Sequence, residues 1–151
     1  MKSIDHEIIA HLRMDARKPI PVISKEVGAP SSTIYEKIKR QYKGLFKRHV
    51  TLVNFQNLGY HTIVHFAISC KEGDRLELKR YLLDEPRINT LHRVNFGWDY
   101  LAEGIFKNFA EAEDFKTLLR GKFSPKTLEC FNVVEELKKE QFLTKPEHFE
   151  D

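Results

Sequence analysis

Four cations crowd one short stretch of this chain: Lys37, Lys39, Arg40 and Lys43, between Pro30 and Gly44. Cations this dense suit a polyanion, because each can neutralise a phosphate, release its counterion or reach a base edge. Ahead of them stand Ser31, Ser32, Thr33 and Tyr35. At the start of a helix these hydroxyls could meet DNA. Lys47 and Arg48 follow, with His49, as further backbone-binding cations. Other chemistry is sparse. His61 and His65 share a strand face but have no third ligand beside them, so no metal is expected. Cys70 and Cys130 belong to no CxxC pair, which excludes a zinc ribbon; both read as small core residues. The chain has no Gly-rich phosphate loop, HExxH or nucleophile elbow, so neither cofactor nor catalysis is expected.

The cations need a helix to hold them, and the local pattern supplies three. Ile4, Ile8, Ile9 and Leu12 recur at helical spacing over residues 3–14, with Asp5 and Glu7 in the first turn where the helix dipole favours acids. Pro21 opens a second helix with Ile23 and Val27 as its inner side and Gly28 as its stop. Ala29-Pro30 makes a tight turn. The cationic stretch is then the third helix, with Ile34 and Ile38 four apart on its apolar stripe and Gly44 closing it. Thr33 and Glu36 have the spacing of a capping box. This is a helix-turn-helix, and residues 50–55 read as a strand leading out of it, a small wing.

From residue 58 the pattern changes to period two. Tyr60, Thr62, Val64, Phe66, Ile68 and Cys70 fall on one strand face, and His61, Ile63, His65, Ala67 and Ser69 on the other. A helix over 73–84 follows, with Leu76, Tyr81, Leu82 and Leu83 as its apolar residues. Strands are expected over 88–95 and 100–107, a helix over 110–121 with Phe115, Leu118 and Leu119 inward, and a strand over 127–134. The order β-α-β-β-α-β is the ferredoxin-like arrangement, with both helices on one sheet face. Its open face, through Ile63, His65 and Ala67, is the expected dimer interface. The sequence therefore predicts an α+β protein in four segments. These are a helix-turn-helix domain (1–50), a linker strand (51–57), a ferredoxin-like domain (58–135) and a tail (136–151) that begins helical and is broken at Pro146.

Charge follows the same division. The net charge is +3, but residues 1–50 hold 11 Lys/Arg against 5 Asp/Glu, while residues 51–151 hold 14 against 17. A basic first third on an acidic remainder points one part at a polyanion. No apolar run approaches the roughly 18–20 residues that span a bilayer. The first residues lack an apolar signal core, which sets the expectation of a cytoplasmic protein with reduced thiols.

Together these features resemble the feast/famine, or Lrp/AsnC, transcription regulators. Ser3-Ile4-Asp5-x-x-Ile8-Ile9-x-x-Leu12-x-x-Asp15-Ala16-Arg17 is similar to the family's opening helix and its exit. Ile23-x-x-x-Val27-Gly28 resembles the second helix, Gly44-Leu45-Phe46-Lys47 the step into the wing, and Leu58-Gly59-Tyr60 the start of the effector domain. Pro86-Arg87-Ile88, His92-Arg93-Val94 and Trp98-Asp99-Tyr100-Leu101 follow the family's later segment. Pro30 stands where the family has a capping serine, and the chain is one residue short between Ile38 and Gly44. The resemblance implies a DNA-binding transcription regulator that works as a homodimer or larger assembly. It also implies a small effector, often an amino acid, near Asn95, Phe96, Gly97, Trp98 and Asp99. Sirohaem decarboxylases resemble the same outline, with His92, Arg93 and Trp98 in roughly the place of their histidines, but Asp99-Tyr100-Leu101 follows the regulators more closely. A sensor or adaptor that has lost DNA reading is a third possibility. The regulator reading predicts that Lys37→Ala with Arg40→Ala weakens DNA binding without unfolding the protein.

Overall fold

The apolar residues of the first 50 positions gather into one small core, and those of the strands and later helices into another. The structure, a computed structural model, describes residues 3–149. The chain divides into two units. One runs through Leu52 and takes in the chain again from Leu137; the other is Val53–Glu136.

The first unit, the head, begins with α1 (Ser3–Met14), α2 (Ile20–Val27) and α3 (Ser31–Glu36). Ile8, Ile9, Ile23, Ala29, Ile34 and Tyr42 form its core. Gly28 ends α2 in the left-handed region at φ 71°, the conformation for which glycine is favoured. The chain from Leu137 onward packs back onto α1. Arg13 Nη1 and Nη2 each donate to Glu140 Oε2 at 3.1 Å, and Arg13 Nε donates to the Phe142 carbonyl at 3.0 Å. The Phe149 ring stacks on His6 with centroids 4.4 Å apart and joins the edge of the head's core.

The second unit, the body, is one antiparallel sheet in the order β2-β3-β1-β4, built from β1 (Thr62–Ser69), β2 (Ile88–Arg93), β3 (Tyr100–Phe106) and β4 (Thr127–Asn132). α4 (Arg75–Asp84) and α5 (Phe109–Phe123) cover one face. Phe66 lies at the centre of that core, edge-on to Phe106 and Phe115 with centroids 6.0 and 5.4 Å away. Burying each such ring stabilises the fold by about 1.5–3 kcal/mol. Gly104 leaves room for these rings, since a Cβ there would lie 2.6 Å from Phe106 and 2.9 Å from Phe66. Asn108 caps α5 by accepting from the Glu111 amide at 2.9 Å.

The expected fold class is present, with three corrections to its parts and one face, that of α4, now resolved. No strand forms over 51–57. Residues 47–54 are irregular, and a 3₁₀ turn, Phe55–Leu58, leads into the sheet. β propensity needs a neighbouring strand to supply the ladder, and Val50, Leu52 and Val53 have none and stay exposed. The stretch after β4 is not helical either. Glu140 and Leu143 adopt left-handed φ of 51° and 57°, which no right-handed helix accommodates, and this segment belongs to the head rather than standing apart as a tail. On α4 the buried residues are Leu78 and Leu82, whereas Leu76 and Leu83 face outward. On α5, Leu118 is likewise exposed, and Ala112 and Phe123 join Phe115 and Leu119 inside.

Candidate nucleic-acid interface

The turn before α3 is built from backbone and one hydroxyl. The Ser24 hydroxyl donates to the Ala29 carbonyl at 2.6 Å, and Pro30, extended at ψ 139°, hands the chain directly to α3. Ser31 is therefore the first helical residue, and Ser32 and Thr33 complete the exposed first turn. None of these hydroxyls caps the helix. The capping box of Thr33 and Glu36 does not form, because Thr33 already lies inside the helix; Glu36 instead pairs with Arg40 at 2.7 Å. Ile34, fully buried, fixes α3 to the core.

Beyond Glu36 the helix widens into a π-helical turn, Lys37–Gln41, closed by the Tyr42 amide donating to the Lys37 carbonyl at 2.9 Å. Gly44 does not end the helix itself. It lies in the next tight turn at φ 91°, within which the Phe46 amide donates to the Tyr42 carbonyl at 3.2 Å. Tyr42 is drawn into the core, edge-on to Phe46. Its hydroxyl donates to Asp5 Oδ1 at 2.8 Å. Burial first, and then the Asp5 carboxylate, push the Tyr42 phenol well above its ordinary range. Lys37 Nζ donates to the same Asp5 oxygen at 2.8 Å, and only 12% of its side chain is exposed. Lys37, expected to face DNA, instead forms a buried ion pair joining α1 to the end of α3.

The other expected cations are exposed. Arg40 is 77% exposed despite its Glu36 partner, and the Lys39 ammonium lies 5.4 Å from the Tyr35 ring centroid. Lys43 is exposed on the following turn, and Lys47 and Arg48 on the irregular segment after it. Ser32, Thr33, Glu36, Lys37 and Gln41 line a shallow groove beside them. The head thus presents an exposed first helical turn and five outward cations.

The body's expected sites are placed differently. On the open sheet face, Ile63 pairs with Ile105, His65 with Glu103 and Ala67 with Leu101 across β1 and β3. His65 Nε2 lies 3.8 Å from Glu103 Oε2, and Asn89 donates to Glu103 Oε1 at 2.6 Å. In the 95–99 turn, Phe96 is 94% exposed at φ 56° and Gly97 follows at φ 90°. Asp99 turns inward. Its Oδ2 accepts from the Cys70 amide at 2.9 Å and its Oδ1 pairs with Arg75 at 2.8 Å. The Cys70 amide foremost, then its thiol and Arg75, hold the Asp99 carboxyl below the usual range against the opposing effect of burial. Burial and Asp99 push the Cys70 thiol up. His92 and Arg93 are successive β2 residues paired opposite Leu101 and Tyr100, so they point to opposite sheet faces and do not share a tetrapyrrole site. Among the described residues, no three His, Cys, Asp or Glu side chains gather as a metal site would require.

The buried Asp5 link and the π-helical turn are what sequence reasoning missed. The first-turn position of Asp5 was legible, but a dipole role hid its partnership with residues 37 and 42.

No protein-family model matches the chain. Among characterised proteins it is similar to the HTH-type transcriptional regulator FL11 of Pyrococcus furiosus, at 32% identity over 116 residues, covering 76% of this chain and 77% of that one. An uncharacterized HTH-type transcriptional regulator of Pyrococcus abyssi is 28% identical over 149 residues, covering 97% and 99%. Two solved structures share the fold. LrpC of B. subtilis superposes with a TM-score of 0.82 at 19% identity, covering 91% of this chain and 97% of that one. A transcriptional regulator/L-Met complex from Neisseria meningitidis superposes with a TM-score of 0.84 at 17% identity, covering 92% and 93%.

Proposed function

Because this chain belongs to the Lrp/AsnC family of helix-turn-helix transcriptional regulators, we propose that its head holds double-stranded DNA through α3 and the two turns after it. Members of this family are regulators rather than enzymes. The observation that carries the assignment is the grouping of Lys39, Arg40, Lys43, Lys47 and Arg48, all outward, after an uncapped helical turn of Ser31, Ser32 and Thr33 with Tyr35 behind it. The free amides and hydroxyls of that turn suit phosphate or base edges, and the cations suit the flanking backbone. Fluorescence anisotropy on duplex DNA across a salt series tests it. Arg40→Ala and Lys43→Ala should each weaken binding and flatten the log–log salt slope by about one. Unchanged slopes in both variants would remove these residues from the interface.

Two further parts rest on the body. A homodimer through Ile63, His65 and Ala67 would cover an open sheet face that also carries Leu101, Ile105 and Phe131. It would set two heads on half-sites about one helical turn apart. A small effector, with an amino acid as the leading class, would act near Asn95, Phe96, Gly97 and Trp98. The fold neighbour bound to L-Met supports this, while Asp99 serves to anchor the turn rather than to face a ligand. Calorimetric titration with pooled amino acids, followed by single ones, tests the effector. A cytoplasmic location follows from a DNA target, and no described helix is long and apolar enough to cross a membrane.

A further inference from the structure

A single oxygen atom in the head receives two donors from the far end of α3. Asp5 Oδ1 accepts from Lys37 Nζ and from the Tyr42 hydroxyl, each at 2.8 Å. These donors are five residues apart. In an α-helix, residues five apart point about 140° away from each other, so both could not converge on one atom of a neighbouring helix. A turn closed by an i→i+5 hydrogen bond has more residues per turn, which shrinks that angle and swings residues five apart toward a common side. The π-helical turn Lys37–Gln41 is such a turn, and it contains neither proline nor glycine that would impose it. The buried carboxylate gives it a reason: the widened turn brings Lys37 and Tyr42 to Asp5 together. Widening changes the direction of Arg40 within the turn and of Lys43 beyond it, relative to an unbroken helix.

We infer that Asp5 and Tyr42 are positioning residues for DNA recognition: their hydrogen bond, with Lys37, holds the π-helical turn that aims Arg40 and Lys43 at the duplex. This rests on the DNA-binding reading above. Neither residue need touch DNA, because both are buried.

The test is a double-mutant cycle of Tyr42→Phe with Arg40→Ala in the full chain. Binding is read by anisotropy on a mixed-sequence duplex of about 30 base pairs at a temperature where circular dichroism shows every variant folded. Tyr42→Phe keeps the ring against Phe46 and removes only the donor. It should weaken binding about fivefold to tenfold and flatten the salt slope by about one. Arg40→Ala should then add little on top of it, because the arginine is already misplaced. Asp5→Asn should act in the same direction where it folds. If Tyr42→Phe lowers only the melting temperature, leaving affinity and slope unchanged, the inference is overturned, as it is if the two effects add in full. Wild-type protein that shows no salt-dependent binding would overturn the DNA-binding reading as well, whereas wild-type binding with an indifferent Tyr42→Phe overturns this inference alone.

Discussion

Lys37 and Arg40 look interchangeable in the sequence, yet they should fail in opposite ways. Removing Lys37 leaves the Asp5 carboxylate buried with one donor fewer, and Lys37→Ala should destabilise the head by about 3 kcal/mol, the low end for a broken buried pair. Thermal unfolding followed by circular dichroism reads this directly. Arg40→Ala removes only an exposed i,i+4 pair, worth a few tenths of a kcal/mol, and should leave stability nearly unchanged while weakening DNA binding. Of the two substitutions, only Arg40→Ala should therefore spare the fold. A helical-wheel reading could not separate them, because it assumes 3.6 residues per turn through a segment that is π-helical. Asp99 carries a pH signature. Its folded-state pKa is depressed, so its contribution is present above the unfolded value and lost as pH falls through the lower folded one. Glu85, lowered chiefly by Arg87, acts in the same sense. Stability of the body should fall from about pH 4 downward, and Asp99→Asn should blunt that fall. An acid titration followed by tryptophan emission from Trp98, next to Asp99 in the same turn, would show it.

The strands were legible because their signal is local and strong. Val64, Phe66 and Ile68 of β1 and Cys70 just after it are all buried as their period requires, while Ile63, His65 and Ser69 between them are half-exposed. The linker was not, although its residues are as β-prone, because a strand exists only where a second strand meets it. On α4 the sequence offered several leucines and two competing faces. The sheet selected the face of Leu78 and Leu82, a tertiary choice that periodicity could not make. Gly104 belongs to the same class of hidden constraint. Its backbone is ordinary, but Phe66 and Phe106 close over it. Gly104→Ala should cost about 1–3 kcal/mol through overpacking, visible as a lowered denaturant midpoint with an unchanged m-value.

At the scale of the whole molecule, the helical head is discontinuous in sequence. Residues 137–149 pack on α1 through Arg13 and His6, although the strands and helices of the body lie between them in the chain. Nothing in their composition announced this, since the partners are more than 120 positions apart. Phe149→Ala should lower the head's melting temperature and leave the body's transition in place, as differential scanning calorimetry would resolve. The arrangement also imposes an order on synthesis. At about 5–20 residues per second, a ribosome that has made α1, α2 and α3 needs roughly 5–20 s more before Leu137 is made. Throughout that interval α1 waits without the side chains that stack on His6 and hold Arg13. A nascent chain halted near residue 136 should therefore carry a complete set of head helices that a protease still opens, and the same helices should resist cleavage once residue 149 has emerged. Helices that are made before the body gain these contacts only once the body has been made.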